Sequence, residues 1–258
     1  MIRIENVCKT FEENEVLKNI SAEFKAGQTN LIIGRSGSGK TVLLKSIVGL
    51  HEVSSGNIFY GDRNFTTMKE KERKMLRREI GMVFQGGALF DSLTVAENVR
   101  FPMDMFTHAS EAEKEERVRF CLDRVNIRRE AFDLSPSEIS GGMQKRVAIA
   151  RAIVLNPKYL FCDEPNSGLD PETSIVIDKL IHEITQEYNI TTVINTHDMN
   201  SVMEIGDQIL FISEGVKTWE GNSPEILLTE NVKLQDFVFA NPLFREVRDV
   251  RLRSKPED

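Results

Sequence analysis

The stretch Gly34-Arg35-Ser36-Gly37-Ser38-Gly39-Lys40-Thr41 constrains this chain more than any other. It follows the apolar run Leu31-Ile32-Ile33 and leads into Val42-Leu43-Leu44, a helix start. The pattern G-x-x-x-x-G-K-[ST] is a phosphate-cradling loop. Its glycines let successive backbone N–H groups point inward, and the helix that follows adds partial positive charge, so backbone and helix end together form a nest for an anion. Lys40 reaches β- and γ-phosphate oxygens. The Thr41 hydroxyl offers a hard oxygen to Mg²⁺, a cation that keeps most of its waters. The bland alternative for these eight residues is a Gly/Ser turn before an ordinary helix, and the strand before and helix after weigh against it.

The 258 residues can bury a full core as one large domain with a subdomain, or as two small domains. Thirty-three basic against forty acidic side chains leave a net charge of −7, so no overall positive field would hold nucleic acid, and no nucleic-acid partner is expected. No apolar run approaches the roughly 20 residues that span a bilayer. Met1-Ile2-Arg3-Ile4-Glu5 alternates like a strand and lacks a signal peptide's apolar block, so a cytoplasmic location is expected. Cys8, Cys121 and Cys162 have no C-x-x-C spacing and read as small apolar residues rather than disulfide or zinc ligands.

Ile2 and Ile4, then Ile20, Ala22 and Phe24, recur at period two, and residues 56–61 form another short strand bounded by glycines. These predict an antiparallel β layer beside the loop. Phe11, just beyond the first strand, is either an aromatic that stacks on an adenine ring or part of the core. Residues 66–79, dense in Lys, Arg and Glu with Met68, Met75 and Leu76 as anchors, predict a solvated surface helix. The strand at 80–84 delivers Gln85 to the end of the sheet where α/β proteins bind ligands, within reach of Mg²⁺ or an attacking water.

A helical subdomain is expected over about residues 86–156. Thr94 with Glu97 and Ser110 with Glu113 are helix-start patterns, and Val118, Cys121, Leu122 and Val125 share one face. Ala88, Leu89, Phe90 and Met103 either receive a partner's helix or pack internally. Ser140 is an N-cap candidate, and Gly141 and Gly142 behind it leave first-turn N–H groups bare, a second anion-binding site far from the first. Met143, Val147, Ala150 and Val154 then form an apolar stripe.

Residues 159–162 read as a strand buried on both faces, ending in Asp163 and Glu164. Two adjacent carboxylates there need a cation or a proton. Asp163 suits the Mg²⁺ shell, and Glu164 suits polarising a water for in-line attack on a γ-phosphate. A turn through Asp170 returns the chain to a helix, and His197 tips the strand at 191–196, where it can donate to a γ-phosphate oxygen. His51, His108 and His182 have no such position. Residues 208–213 make the last expected strand. Beyond about residue 222, Ser223 followed by Pro224 reads as a helix start. Leu234, Phe237 and Val238 give a short apolar face, and the Arg-rich stretch at 245–255 reads as a tail that is either mobile or ordered only on a partner.

Taken together these residues resemble the ATP-binding cassette (ABC) family over nearly the whole chain. Residues 34–41 match its Walker A loop, Gln85 its Q-loop, residues 140–144 its signature, residues 159–164 Walker B, residues 167–170 the D-loop and His197 the switch histidine. The resemblance implies an α/β fold: a P-loop, RecA-like core with an antiparallel β subdomain and an inserted helical subdomain, the nucleotide-binding domain spanning residues 1–222 and a helical extension with basic tail covering 223–258. It implies ATP and Mg²⁺ as cofactors. Phe11, residues 34–41, Ser140, Gly141, Gly142, Met143 and Asp170 would touch nucleotide; Thr41, Gln85 and Asp163 would touch the metal; Glu164, His197 and Gln85 would serve hydrolysis. It also implies a head-to-tail homodimer in which Ser140, Gly141 and Gly142 of one subunit close on nucleotide held by the other.

Within the family, residues 87–94 and 139–148 look most like the ATPase of Mla-type lipid transporters. That implies membrane permease subunits, an MCE-domain lipid-binding protein, a small cytoplasmic regulatory subunit, and a place on the inner face of the cell membrane. Departures from the general pattern are Ile139 for leucine, Met143 for glutamine and Phe11 for tyrosine. The leading expectation is a lipid-transport motor. The alternatives are a motor for another cargo, a soluble assembly scaffold of the iron-sulfur type, or a DNA-repair protein, for whose long insertions there is no room.

Overall fold

The computed structural model describes residues 1–253. Ten strands, β1 (Ile2–Phe11), β2 (Asn14–Phe24), β3 (Thr29–Ile33), β4 (Ser55–Tyr60), β5 (Arg63–Asn64), β6 (Ile80–Val83), β7 (Tyr159–Asp163), β8 (Thr191–Thr196), β9 (Gln208–Ser213) and β10 (Val216–Gly221), form two sheets. The first is antiparallel in order β2-β1-β4-β5. The second runs β10-β9-β3-β8-β7-β6, parallel from β9 to β6 with β10 antiparallel at its edge. The fold is an α/β core built on the phosphate loop, with helical insertions.

Among the described residues the α-helices are α1 (Lys40–Val48), α2 (Glu70–Arg77), α3 (Val95–Phe106), α4 (Glu111–Arg124), α5 (Gly141–Ile153), α6 (Pro171–Glu187), α7 (Met199–Ile205), α8 (Ser223–Ile226), α9 (Val232–Val238) and α10 (Pro242–Arg253).

Because side chains alternate along a strand, the parallel sheet feeds two separate apolar layers. Leu31, Ile33, Leu160, Cys162, Ile209 and Phe211 enter one, together with the buried faces of α3 to α7 and α9. Ile32, Tyr159, Phe161, Leu210 and Ile212 enter the other, with α1 and the antiparallel sheet. The loop at 34–39 is thereby fixed between a strand and a helix that are both anchored in core.

Local chemistry explains most helix starts. Thr94 and Ser110 cap α3 and α4 as reciprocal capping boxes with Glu97 and Glu113. Several expectations need correction. Helix α2 covers only Glu70–Arg77, Phe65–Thr67 being a separate 3₁₀ turn, and Met75 is exposed rather than an anchor. Met103 is buried, so of the proposed partner-facing residues it packs internally, and Phe90 remains exposed against Phe101.

Residues 208–213 are not the last strand, since a Glu214-Gly215 turn with positive φ at both residues sends β10 back along the edge. The cap of α8 is Asn222 rather than Ser223, because its carboxamide accepts from Glu225 N at 3.0 Å. The Arg-rich stretch is helical through Arg253: Phe244 is buried, Arg245 bonds the Phe239 carbonyl, and Arg248 lies 4.8 Å over the Phe239 ring. Ser254 and Lys255 lie outside the described residues.

Candidate functional site

The phosphate loop has its glycines where only glycine serves. Gly34, Gly37 and Gly39 take φ of 153°, 78° and 103°, and a Cβ on Gly34 would lie 2.3 Å from the Ile212 carbonyl oxygen. Lys40 Nζ donates to the Gly34 and Arg35 carbonyls at 2.9 and 3.1 Å. Burial lowers the lysine's pKa, while the charges of Glu164 and Asp163 pull it back up. Ser38 Oγ is buried within the loop and has no protein partner among the described residues. Arg35, Ser36, Gly37, Gly39, Lys40 and Thr41 open onto a cavity of about 670 Å³, whose other walls are Val16, Val42, Glu164, His197 and Phe237.

At the carboxyl ends of β7 and β8 the polar groups converge. Thr41 Oγ1 lies 3.3 Å from Asp163 Oδ1, and Asn195 Nδ2 donates to both, at 2.9 and 2.7 Å. Glu164 holds φ of 47°, its N–H bonded to the Asn195 carbonyl at 2.9 Å and its own carbonyl accepting from Ser167 N at 3.1 Å. That turn aims the side chain back over the sheet. Its Oε1 lies 2.9 Å from His197 Nδ1, which fixes the ring's proton on that nitrogen, and its Oε2 accepts from Gln85 Nε2 at 3.1 Å.

The oxygens of Thr41 and Asp163 are the hard donors a magnesium ion takes, and the buried Asn195 amide holds the two together. Among the described residues no three His, Cys, Asp or Glu side chains group to hold a metal by themselves. A cation here would therefore share its shell with phosphate oxygens and water. Gln85, expected at the metal or the attacking water, donates to Glu164 Oε2 at 3.1 Å and to Ser167 Oγ at 3.4 Å.

Three expected groups, the Ser140 turn, Asp170 and Phe11, do not line this cavity. Ser140 caps α5, accepting from Met143 N at 3.3 Å, and Gly142 lies where a Cβ would meet Thr173 Cγ2 at 2.7 Å, so α5 starts close against α6. Ser140 and Gly141 are exposed. Asp170 caps α6, accepting from Thr173 N at 2.9 Å and Thr173 Oγ1 at 2.6 Å. Phe11 is 39% exposed, which rules out the core alternative; its ring meets His51 edge-on and Lys9 Nζ lies 4.6 Å from its centre.

Sequence reasoning passed over four groups. Asn195 is a wholly buried amide in a fully buried strand otherwise made of Thr, Val and Ile, and an amide among β-branched residues was the available signal. Lys145 and Arg151 of α5 hold the segment after β6 by its carbonyls: Lys145 bonds Gln85 O, and Arg151 bonds Ala88 and Gly87 O at 2.7 and 2.6 Å. Asp178 of α6 is buried beside Asn166, whose Nδ2 donates to its Oδ2 at 3.2 Å and to Ser201 Oγ at 2.8 Å.

Burial raises the Asp178 carboxyl from an ordinary 3.8 to about 6, with Asp198 and Glu204 pushing the same way and bonds from Ser201 and Asn166 opposing. Between those two values the folded chain keeps a proton that the unfolded chain has released, so stability falls as pH rises from about 4 through about 6. Asp178→Asn removes this loss. The variant's unfolding free energy, measured in urea, should exceed the parent's by an amount that grows between pH 4 and pH 7 to of the order of 2–3 kcal/mol. A pH-independent difference would show that the carboxyl titrates normally.

Comparison with known proteins agrees with this geometry. The family model "ABC transporter" matches residues 17–167. The chain is 38% identical over 238 residues to "Methionine import ATP-binding protein MetN" of Clostridioides difficile (strain 630), covering 92% of this chain and 74% of the relative. It is also 38% identical to "Glutamine transport ATP-binding protein GlnQ" of Escherichia coli (strain K12), covering 92% of this chain and 98% of that one. Its fold matches the dimeric post-hydrolysis structure of the ATP-binding cassette MJ0796 bound to ADP and Pi, with a TM-score of 0.79 and 32% identity over 86% of this chain and 99% of that one. The chain belongs to the ABC transporter family, as an ATP-binding and ATP-hydrolysing subunit.

Proposed function

We propose that this chain is the motor of a membrane transporter and works as a head-to-tail homodimer. The observation that carries the reading is the separation of its two anion nests. The loop at 34–41 shares a cavity with Glu164 and His197, whereas Ser140, Gly141 and Gly142 do not line it, and Ser140 and Gly141 are exposed. A second copy, turned end to end, brings its Ser140 helix start to the first copy's γ-phosphate; the dimeric state of the MJ0796 cassette supports this. Glu164 then draws a proton from the attacking water, His197 orients that carboxylate through Nδ1, and Lys40 neutralises phosphate charge. Magnesium, held by Thr41 and Asp163, supplies Lewis-acid charge neutralisation when bound. Phe11 offers an exposed ring face for adenine.

For cargo, the relatives named for methionine import and glutamine transport favour a motor for a small solute over the lipid motor expected from sequence, and their transport roles also weigh against an assembly scaffold. Lipid transport with an MCE-type partner is the second reading, resting on residues 87–94 and 139–148 and on Met143 in the signature turn. Among the described residues no helix is long and apolar enough to cross a membrane, so the chain would reach the bilayer's cytoplasmic face through a permease.

The complex extracted from native membranes should contain a permease, and in liposomes its ATPase should rise at least about threefold with the correct cargo and its binding protein. Stimulation by an amino acid supports the first reading. Stimulation only by phospholipid-loaded MCE protein supports the second, and recovery with soluble assembly proteins alone overturns both.

A further inference from the structure

We propose that Asn166, Asp178 and Ser201 form a positioning node that holds Glu164 and His197 in register and ties both to the turn that carries Asp170. The proposal rests on the catalytic reading of Glu164 given above and goes beyond it. These three polar side chains are buried in an otherwise apolar layer, and each comes from a different element. Asn166 lies in the turn two residues after Glu164. Asp178 is on α6, two turns beyond the Asp170 cap, and Ser201 is on α7, one turn beyond His197.

Asn166 Nδ2 bridges them, donating to Asp178 Oδ2 at 3.2 Å and to Ser201 Oγ at 2.8 Å. Buried polar groups are costly unless paired, so a bridge of this kind specifies one arrangement of the elements it joins.

The arrangement matters because Glu164 is not at rest in an ordinary backbone conformation. Its left-handed φ of 47° persists only where surrounding structure over-determines it. One restraint is the bond from its N–H to Asn195 O, and another is the Ser167 N–H to its carbonyl. Both act through the backbone. Asn166, inside the same turn, supplies a side-chain anchor by fastening it to α6 and α7. The 2.9 Å contact between Glu164 Oε1 and His197 Nδ1 then joins two groups whose supporting elements are already bonded to each other through the node. Since α6 starts at Asp170, displacement of that turn by a second copy of this chain is passed to Glu164 and His197 together.

The test uses the full chain in its native membrane complex, with kcat and KM for ATP measured separately. Asp178→Leu fills the site with carbon and leaves Asn166 one partner; kcat should fall at least about tenfold with KM unchanged within about twofold, the signature of misplaced groups rather than lost binding. Asp178→Asn keeps a carbonyl acceptor and should stay within about threefold of the parent kcat. Asn166→Ala, which forces nothing new into the core, should repeat the kcat loss, and it decides the matter if Asp178→Leu does not fold.

Normal kcat in Asp178→Leu and Asn166→Ala beside an inactive Glu164→Gln would overturn the node and leave the catalytic reading standing. So would losses confined to KM, or an Asp178→Asn variant as impaired as Asp178→Leu. Full turnover by Glu164→Gln would remove the catalytic reading, and the node with it.

Discussion

Glu164→Gln lowers ATP turnover by at least about 100-fold, the lower range for loss of a general base, while nucleotide binding persists. The carboxamide keeps the shape and one acceptor oxygen, so the 2.9 Å approach of His197 survives in part, and the P-loop's contacts are untouched. What disappears is the capacity to take a proton from water. Nucleotide that cannot be cleaved keeps the two copies closed, and size-exclusion chromatography with ATP should show the variant as dimer where the parent is mostly monomer. Single-turnover measurement separates the chemical step from release. Turnover within a few-fold of the parent would assign the proton to another group.

Ser140→Arg abolishes turnover and spares nucleotide binding by one copy. Ser140 is exposed, and the cavity that holds Lys40, Thr41 and Glu164 does not include it. A bulky cation at the start of α5 obstructs the surface that would meet the other copy. It also removes the cap on Met143 N, at a cost of about 1 kcal/mol, too little to unfold the chain. Fluorescent ATP-analogue titration should give an affinity within about threefold of the parent, beside undetectable hydrolysis. Lost affinity in the isolated subunit would place Ser140 in its own chain's cavity.

The parts of this molecule that were legible in its sequence are those in which a residue type answers a local demand. Gly34 and Gly39 mark backbone that no side chain tolerates, and Thr94 with Glu97 marks a helix start by reciprocal bonding. Asp163 and Glu164 are visible because two carboxylates end an apolar run. What escaped depends on contacts between distant elements. Asn195 reads as one more residue of β8 until Thr41 and Asp163 are brought to it from elsewhere. Asp178 sits on an amphipathic helix like any polar residue, and only the fold turns it inward toward Asn166. Helix α10 depends on Phe239 and Phe244 finding cover, which charge density along 245–255 conceals.

Lys145 and Arg151 give α5 a second duty. The helix begins at Ser140 and, less than two turns and then about three turns further on, grips the carbonyls of Gln85, Gly87 and Ala88. Any tilt imposed at its first turn by an opposing molecule is levered into the segment bearing Gln85, whose amide touches Glu164. Each active centre in an assembled pair would thus sense, through a rigid rod of its own chain, whether the neighbouring centre is loaded, and the two could be kept in step without any flexible messenger between them.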